Sequence, residues 1–142
     1  MEISEIRRRL KHTIEQTRRT AAERRERTDA AAKAYETFLE RVATPVFKQF
    51  ASALRAEGHL FQVFTPGGGL RLASERSAED FIEFLLDVSG EHPVVLGRLS
   101  YTRGSRVLGR EAALSSEGGI AGLTEGDVLE RLLRDIQPLI AR

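Results

Sequence analysis

The sequence predicts an α+β fold: a long N-terminal helix, a five-stranded antiparallel meander sheet with helices on one face, and a C-terminal helix. Three observations carry this reading. Apolar residues recur at helical spacing from Ile3 to Val46. From His59 the period changes to two, as strands require. The links between the period-two segments are short and rich in Gly, Pro and Ser, which joins neighbouring strands antiparallel. With 142 residues there is room for one domain and an appendage. We divide the chain into a helical arm over 1–43 and a sheet domain over 44–142.

The arm carries a stripe of apolar or small residues: Ile3, Ile6, Leu10, Ile14, Thr17, Ala21, Thr28, Ala32, Tyr35, Leu39 and Val42. The steps average about 3.6 residues, so one face is continuous and supercoiling would be slight. The stripe is strong at its ends and weak in the middle, and no strict heptad is sustained. Pro45 lacks an N–H and disfavours helix at Thr44, so a kink or restart is expected there. Thr44 would then serve as N-cap with proline at the first helical position. The next helix, 46–57, offers Val46, Phe47, Phe50 and Leu54 to the core and stops at Gly58.

Five strands follow, at 59–65, 70–74, 80–88, 94–103 and 106–114, with turns at 66–69, 89–93 and 104–105. Their lengths determine a register. A two-residue hairpin at Gly104-Ser105 sets Arg98 opposite Glu111. Closure of the turn at 89–92 sets Glu83 opposite Arg98, and symmetric closure around residue 77 sets Arg71 opposite Glu83. Three separate turns thus align four charges of alternating sign, which favours the register. The core face then carries Phe61, Val63, Leu70, Leu72, Ile82, Phe84, Leu86, Val95, Leu99, Tyr101, Leu108 and Leu114. The other face carries the charged row together with Phe64, Phe81, Leu85, Val94 and Leu96, which is more apolar than a solvated face requires. Gly118, Gly119 and Gly122 form a link. Thr124 then caps a helix over 125–141, with Asp127 in capping-box position. Its apolar face is Val128, Leu129, Leu132, Leu133, Ile136 and Ile140.

Composition narrows the chemistry. There is no cysteine, so thiolate chemistry and disulfides are excluded, and three scattered histidines argue against a zinc site. The segment MEISEIRRRL has no apolar run after its basic residues and no stretch is long enough to span a bilayer. A cytoplasmic location without membrane contact is expected. Only Lys11, Lys33 and Lys48 are lysine and asparagine is absent, which the codon usage of a GC-rich bacterium explains. Residues 1–27 hold nine basic and five acidic residues, net +4 in a chain of net +1, so a basic arm meets a mildly acidic body.

No catalytic signature emerges. The Gly67-Gly68-Gly69 run lacks the Lys-Ser/Thr of a phosphate loop and reads as a turn. Ser115-Ser116-Glu117 has no positioned base and reads as loop. The charged row reads as an exposed set of cross-strand ion pairs. Arg110 falls on the core side of the last strand, where it either snorkels to solvent or contacts a partner.

These readings lead to a non-enzymatic adaptor or assembly subunit that self-associates or docks on a protein partner through its N-terminal helix. The partner-binding residues would be Ile3, Ile6, Leu10 and Ile14 on the arm and Phe64, Phe81, Leu85 and Leu96 on the sheet. The alternative is nucleic-acid binding through Arg7, Arg8, Arg18, Arg19, Arg24 and Arg25. The interleaved glutamates and the absence of aromatic residues before Tyr35 weigh against it. A third reading is an enzyme or small-ligand binder with its site on the sheet. No cofactor, metal or small-molecule substrate is expected.

Overall fold

The computed structural model describes residues 1–141. Its first element is an uninterrupted helical rod. Helix α1 (Ile3–Phe38) passes through one π-helical turn (Leu39–Ala43) into α2 (Thr44–Ala56). The expected restart at Pro45 does not occur. Thr44 is fully helical (φ −62°, ψ −46°) and is no N-cap; its N–H reaches back to the Leu39 carbonyl. The physical reason is the wide turn. A π-helical turn takes in one extra residue, which relieves the contact between a proline ring and the preceding carbonyls that would otherwise break the helix.

The sheet has the order β1-β2-β3-β4-β5, all antiparallel. The strands are β1 (Phe61–Phe64), β2 (Leu70–Ser74), β3 (Phe81–Asp87), β4 (Val94–Arg103) and β5 (Arg106–Leu114). Turn chemistry predicts the register correctly: Arg71 pairs with Glu83, Glu83 with Arg98, and Arg98 with Glu111. The glycine-rich turn is a single 3-10 turn, Pro66–Gly68. Gly67 and Gly68 both sit at positive φ, which side-chain-bearing residues rarely adopt.

The helices gather on one face of the sheet. Phe84 on β3 is the centre of the core, stacked on Phe38 at 6.4 Å and meeting Phe47 edge-on at 4.9 Å. Around it lie Leu70, Leu72, Ile82, Val95, Val128 and Leu132, all fully buried. The core also draws in Tyr35 and Phe38, both upstream of residue 44. The Tyr35 hydroxyl donates to the Gly68 carbonyl at 3.0 Å and lies 3.4 Å from that of Phe84, so α1 is fastened to the glycine turn.

That fastening sets a pH dependence. Burial, and secondarily the Glu83 carboxylate, push the Tyr35 phenol from 10.0 up to about 12. The folded protein holds this proton more tightly than the unfolded chain does. The stability it contributes is therefore complete below pH 10 and is lost as pH rises toward about 12. Denaturant unfolding of the wild type should weaken across that window, and Tyr35→Phe should flatten the decline. An unchanged decline in the variant would place the titration elsewhere.

The C-terminal segment departs from expectation. Helix α3 (Glu125–Asp135) ends at Ile136, and a short α4 (Gln137–Ile140) follows with Pro138 in its first turn, where a proline is tolerated. The capping box forms: Thr124 accepts from the Asp127 N–H at 3.2 Å, and Asp127 accepts from the Thr124 N–H at 2.8 Å. Leu129 and Leu133 point outward, contrary to the predicted apolar face, while Arg131 and Asp135 are buried. The Arg131 guanidinium lies over Gly97 on β4 and donates to the carbonyls of Ala112 and Ala113 at 2.9 and 3.0 Å. A Cβ at Gly97 would come within 2.3 Å of it. Burial lowers the Arg131 pKa, partly offset by Asp135. Asp135 also meets Arg110 at 3.6 Å, which explains the arginine on the core side of β5.

Candidate functional site

Two surfaces hold the residues singled out by sequence. The first is the free portion of α1. Up to Glu26 the residues are exposed, apart from partial cover of Glu5 and Ala22. Partial burial of Arg27, Thr28, Ala31 and Ala34, at helical spacing, marks where the helix meets the body. Before that point the helical residues from Ile3 to Glu26 project, a rod of about 36 Å at 1.5 Å per residue.

On that rod Ile3, Ile6, Leu10 and Ile14 are 75%, 47%, 55% and 41% exposed. They stand on one side, as their spacing predicts. The helix needs no apolar cover to close the core, because Tyr35 and Phe38 already do so. Arg8 and Arg9 both bond Glu5, one turn back. Among the described residues Arg7, Arg18, Arg19, Arg24 and Arg25 form no salt bridge.

The second surface is the sheet face opposite the helices. Phe64, Phe81, Leu85 and Leu96 all fall on it, but not as one open patch. Phe64 is 48% exposed, whereas Phe81, Leu85 and Leu96 are only partly so. The Arg71 guanidinium sits 4.0 Å above the Phe81 ring and roofs it. Leu85 and Leu96 face each other across β3 and β4.

The charged row between them is less exposed than expected. Glu83 is only 6% exposed. Arg71 holds one of its oxygens at 2.8 Å, Arg98 approaches the other at 3.5 Å, and Arg98 is 3.9 Å from Glu111. The flanking arginines and the neighbouring aromatic ring take water away from the central carboxylate. Sequence reasoning found the row but missed this burial, because the cover comes from side chains on the same face rather than from another layer.

A groove of about 800 Å³ runs beside the row, lined by Gln62, Phe64, Arg71, Ala73, Ser74 and Glu75. Its one arginine is already held by Glu83. Among the described residues no group of three or more His, Asp or Glu side chains could hold a metal ion. No described helix is long and apolar enough to cross a membrane. Both surfaces present apolar side chains with charged residues beside them.

No family model, curated protein or solved structure matches this chain.

Proposed function

We propose that this protein is a non-enzymatic adaptor or assembly subunit that docks through its N-terminal helix. One observation carries the reading: four large aliphatic side chains line a projecting helix whose own domain is already closed without them. Burying four such side chains is worth roughly 1.5–3 kcal/mol each before the ordering cost. The arginines on the same helix supply no comparable drive, since exposed charges are screened within about 8 Å at physiological salt.

Affinity capture on the immobilised full-length chain, from extracts of its native cells, tests this. Ile6→Asp combined with Leu10→Asp should abolish what the wild type retains. Arg8→Gln with Arg19→Gln, on the side of the helix away from the stripe, should change it little. Nuclease treatment should leave the retained protein in place. Loss of capture with nuclease, or through the arginine pair alone, would shift the reading to nucleic acid. The observation favouring that second reading is the set of arginines with no ionic partner on the rod.

A further inference from the structure

The arrangement of charge around the apolar stripe bears on what can dock there. On a helix of 3.6 residues per turn each residue advances the direction by about 100°. Taking Ile3, Ile6, Leu10, Ile14, Thr17 and Ala21 as the stripe, Arg7, Lys11, Arg18 and Arg25 fall on one shoulder, within about 95° of it. Arg24 falls on the other, with Arg9 and Arg27 further round. Glu5, Glu15, Glu23 and Glu26 all fall on the far side, roughly 135–155° away. The arm is therefore not evenly mixed in charge. Its apolar stripe runs between basic residues, and the acids inside the projecting helix face away, where Arg8 and Arg19 join them; Glu2, the residue before the helix, lies about 85° from the stripe on the Arg24 side.

This sorting rules against a second copy of the same helix. Antiparallel pairing would set the shoulder of Arg7, Lys11, Arg18 and Arg25 against itself. Parallel pairing would set it against Arg24 and Arg27, with Arg9, held by Glu5, and a single acid, Glu2, on the same side. Both bring like charges to the rim of the contact, which works against association. The stripe also suits a helix better than a lipid surface. After Ile14 it continues as Thr17 and Ala21, and it has no aromatic residue before Tyr35. Small side chains let another helix approach closely, whereas an interfacial membrane helix needs large apolar groups to insert.

Building on the docking reading above, we infer that the occupant of this stripe is a helix of a different protein, with an aliphatic stripe flanked by glutamate or aspartate. The apolar stripe supplies affinity, and the arginine shoulders select the partner.

The test uses the full-length chain and two synthetic helices. Both carry the same Ile/Leu/Ala stripe, one with Glu at the flanking positions and the other with Lys. Fluorescence anisotropy at about 150 mM salt should show the Glu-flanked helix binding tenfold or more tighter. Arg18→Gln with Arg25→Gln should narrow that ratio toward one while the far-ultraviolet circular dichroism of the arm is unchanged. Sedimentation equilibrium without any probe should show a monomer. Equal binding of both helices, no binding of the Glu-flanked one, or a wild-type dimer would overturn the inference. So would tighter binding to phosphatidylserine vesicles or duplex DNA than to the Glu-flanked helix. Failure of the docking reading itself looks different: Ile6→Asp with Leu10→Asp would then leave binding of the Glu-flanked helix intact.

Discussion

Replacing Tyr35 and Phe38 together with alanine should leave the protein without a cooperative unfolding transition, while deleting residues 1–26 should move its melting temperature by only a few degrees. The two changes touch the same helix and differ in what that helix buries. Tyr35 and Phe38 are buried, one bonded to the glycine turn and the other stacked on Phe84. Removing a buried aromatic side chain costs about 3–5 kcal/mol. Two of them together cost about 6–10 kcal/mol, comparable to the roughly 5–15 kcal/mol that holds a domain of this size together. Residues 1–26 are nearly all exposed, and their loss leaves the core unchanged. Calorimetry of both variants decides the matter. A large drop in melting temperature on deletion would mean that the rod packs against the body in solution.

Asp135→Ala should cost about 3–5 kcal/mol, and Arg131→Met combined with Asp135→Leu should cost less than that single change. Asp135 is buried, pairs with Arg110 at 3.6 Å, and offsets the burial of the Arg131 guanidinium. Removing the carboxylate alone leaves a buried cation without its counter-charge. Replacing both by apolar residues removes the charges from the interior altogether. The Ala113 carbonyl lies on the edge strand, where water can take over from Arg131. Urea unfolding of the three proteins provides the comparison. If the double variant proves the less stable one, the two carbonyl bonds of Arg131 outweigh its desolvation.

The meander was legible in the residues because turn lengths are integers. Gly104-Ser105 admits one hairpin closure, and the two earlier turns agree with it, so Arg71, Glu83, Arg98 and Glu111 could be placed side by side without any structure. The free stripe at Ile3 to Ile14 was legible for a similar reason: spacing sets direction on a helix. The misreadings share a cause. The sequence predicts a kink or restart at Pro45, and it draws the apolar face of the last helix through Leu129 and Leu133, leaving out Arg131 and Asp135. In each case a residue type was judged apart from the neighbour that accommodates it. For Arg131 that neighbour is Gly97, a glycine inside a strand, which was the available signal of a side chain crossing close by. For Pro45 it is the widened turn, which leaves no mark in residue type. The docking we propose for the aliphatic stripe likewise requires no special residue type, which is why the sequence offers the stripe as a candidate and names no occupant for it.

The π-helical turn at Leu39–Ala43 acts as a clocking device. The single residue it takes in advances everything on its N-terminal side by about 100° around the axis relative to everything beyond it. The azimuth at which Ile3, Ile6, Leu10 and Ile14 stand is thereby set against the sheet body by one residue, some 25 positions away from the last of them. Two otherwise separate parts, a packed domain and a projecting rod, are geared together at that point. Closing the turn to an ordinary α-helix would swing Tyr35 and Phe38 away from Phe84 together with the rod's apolar side, so the packing of the core and the direction of the rod are set by the same residue.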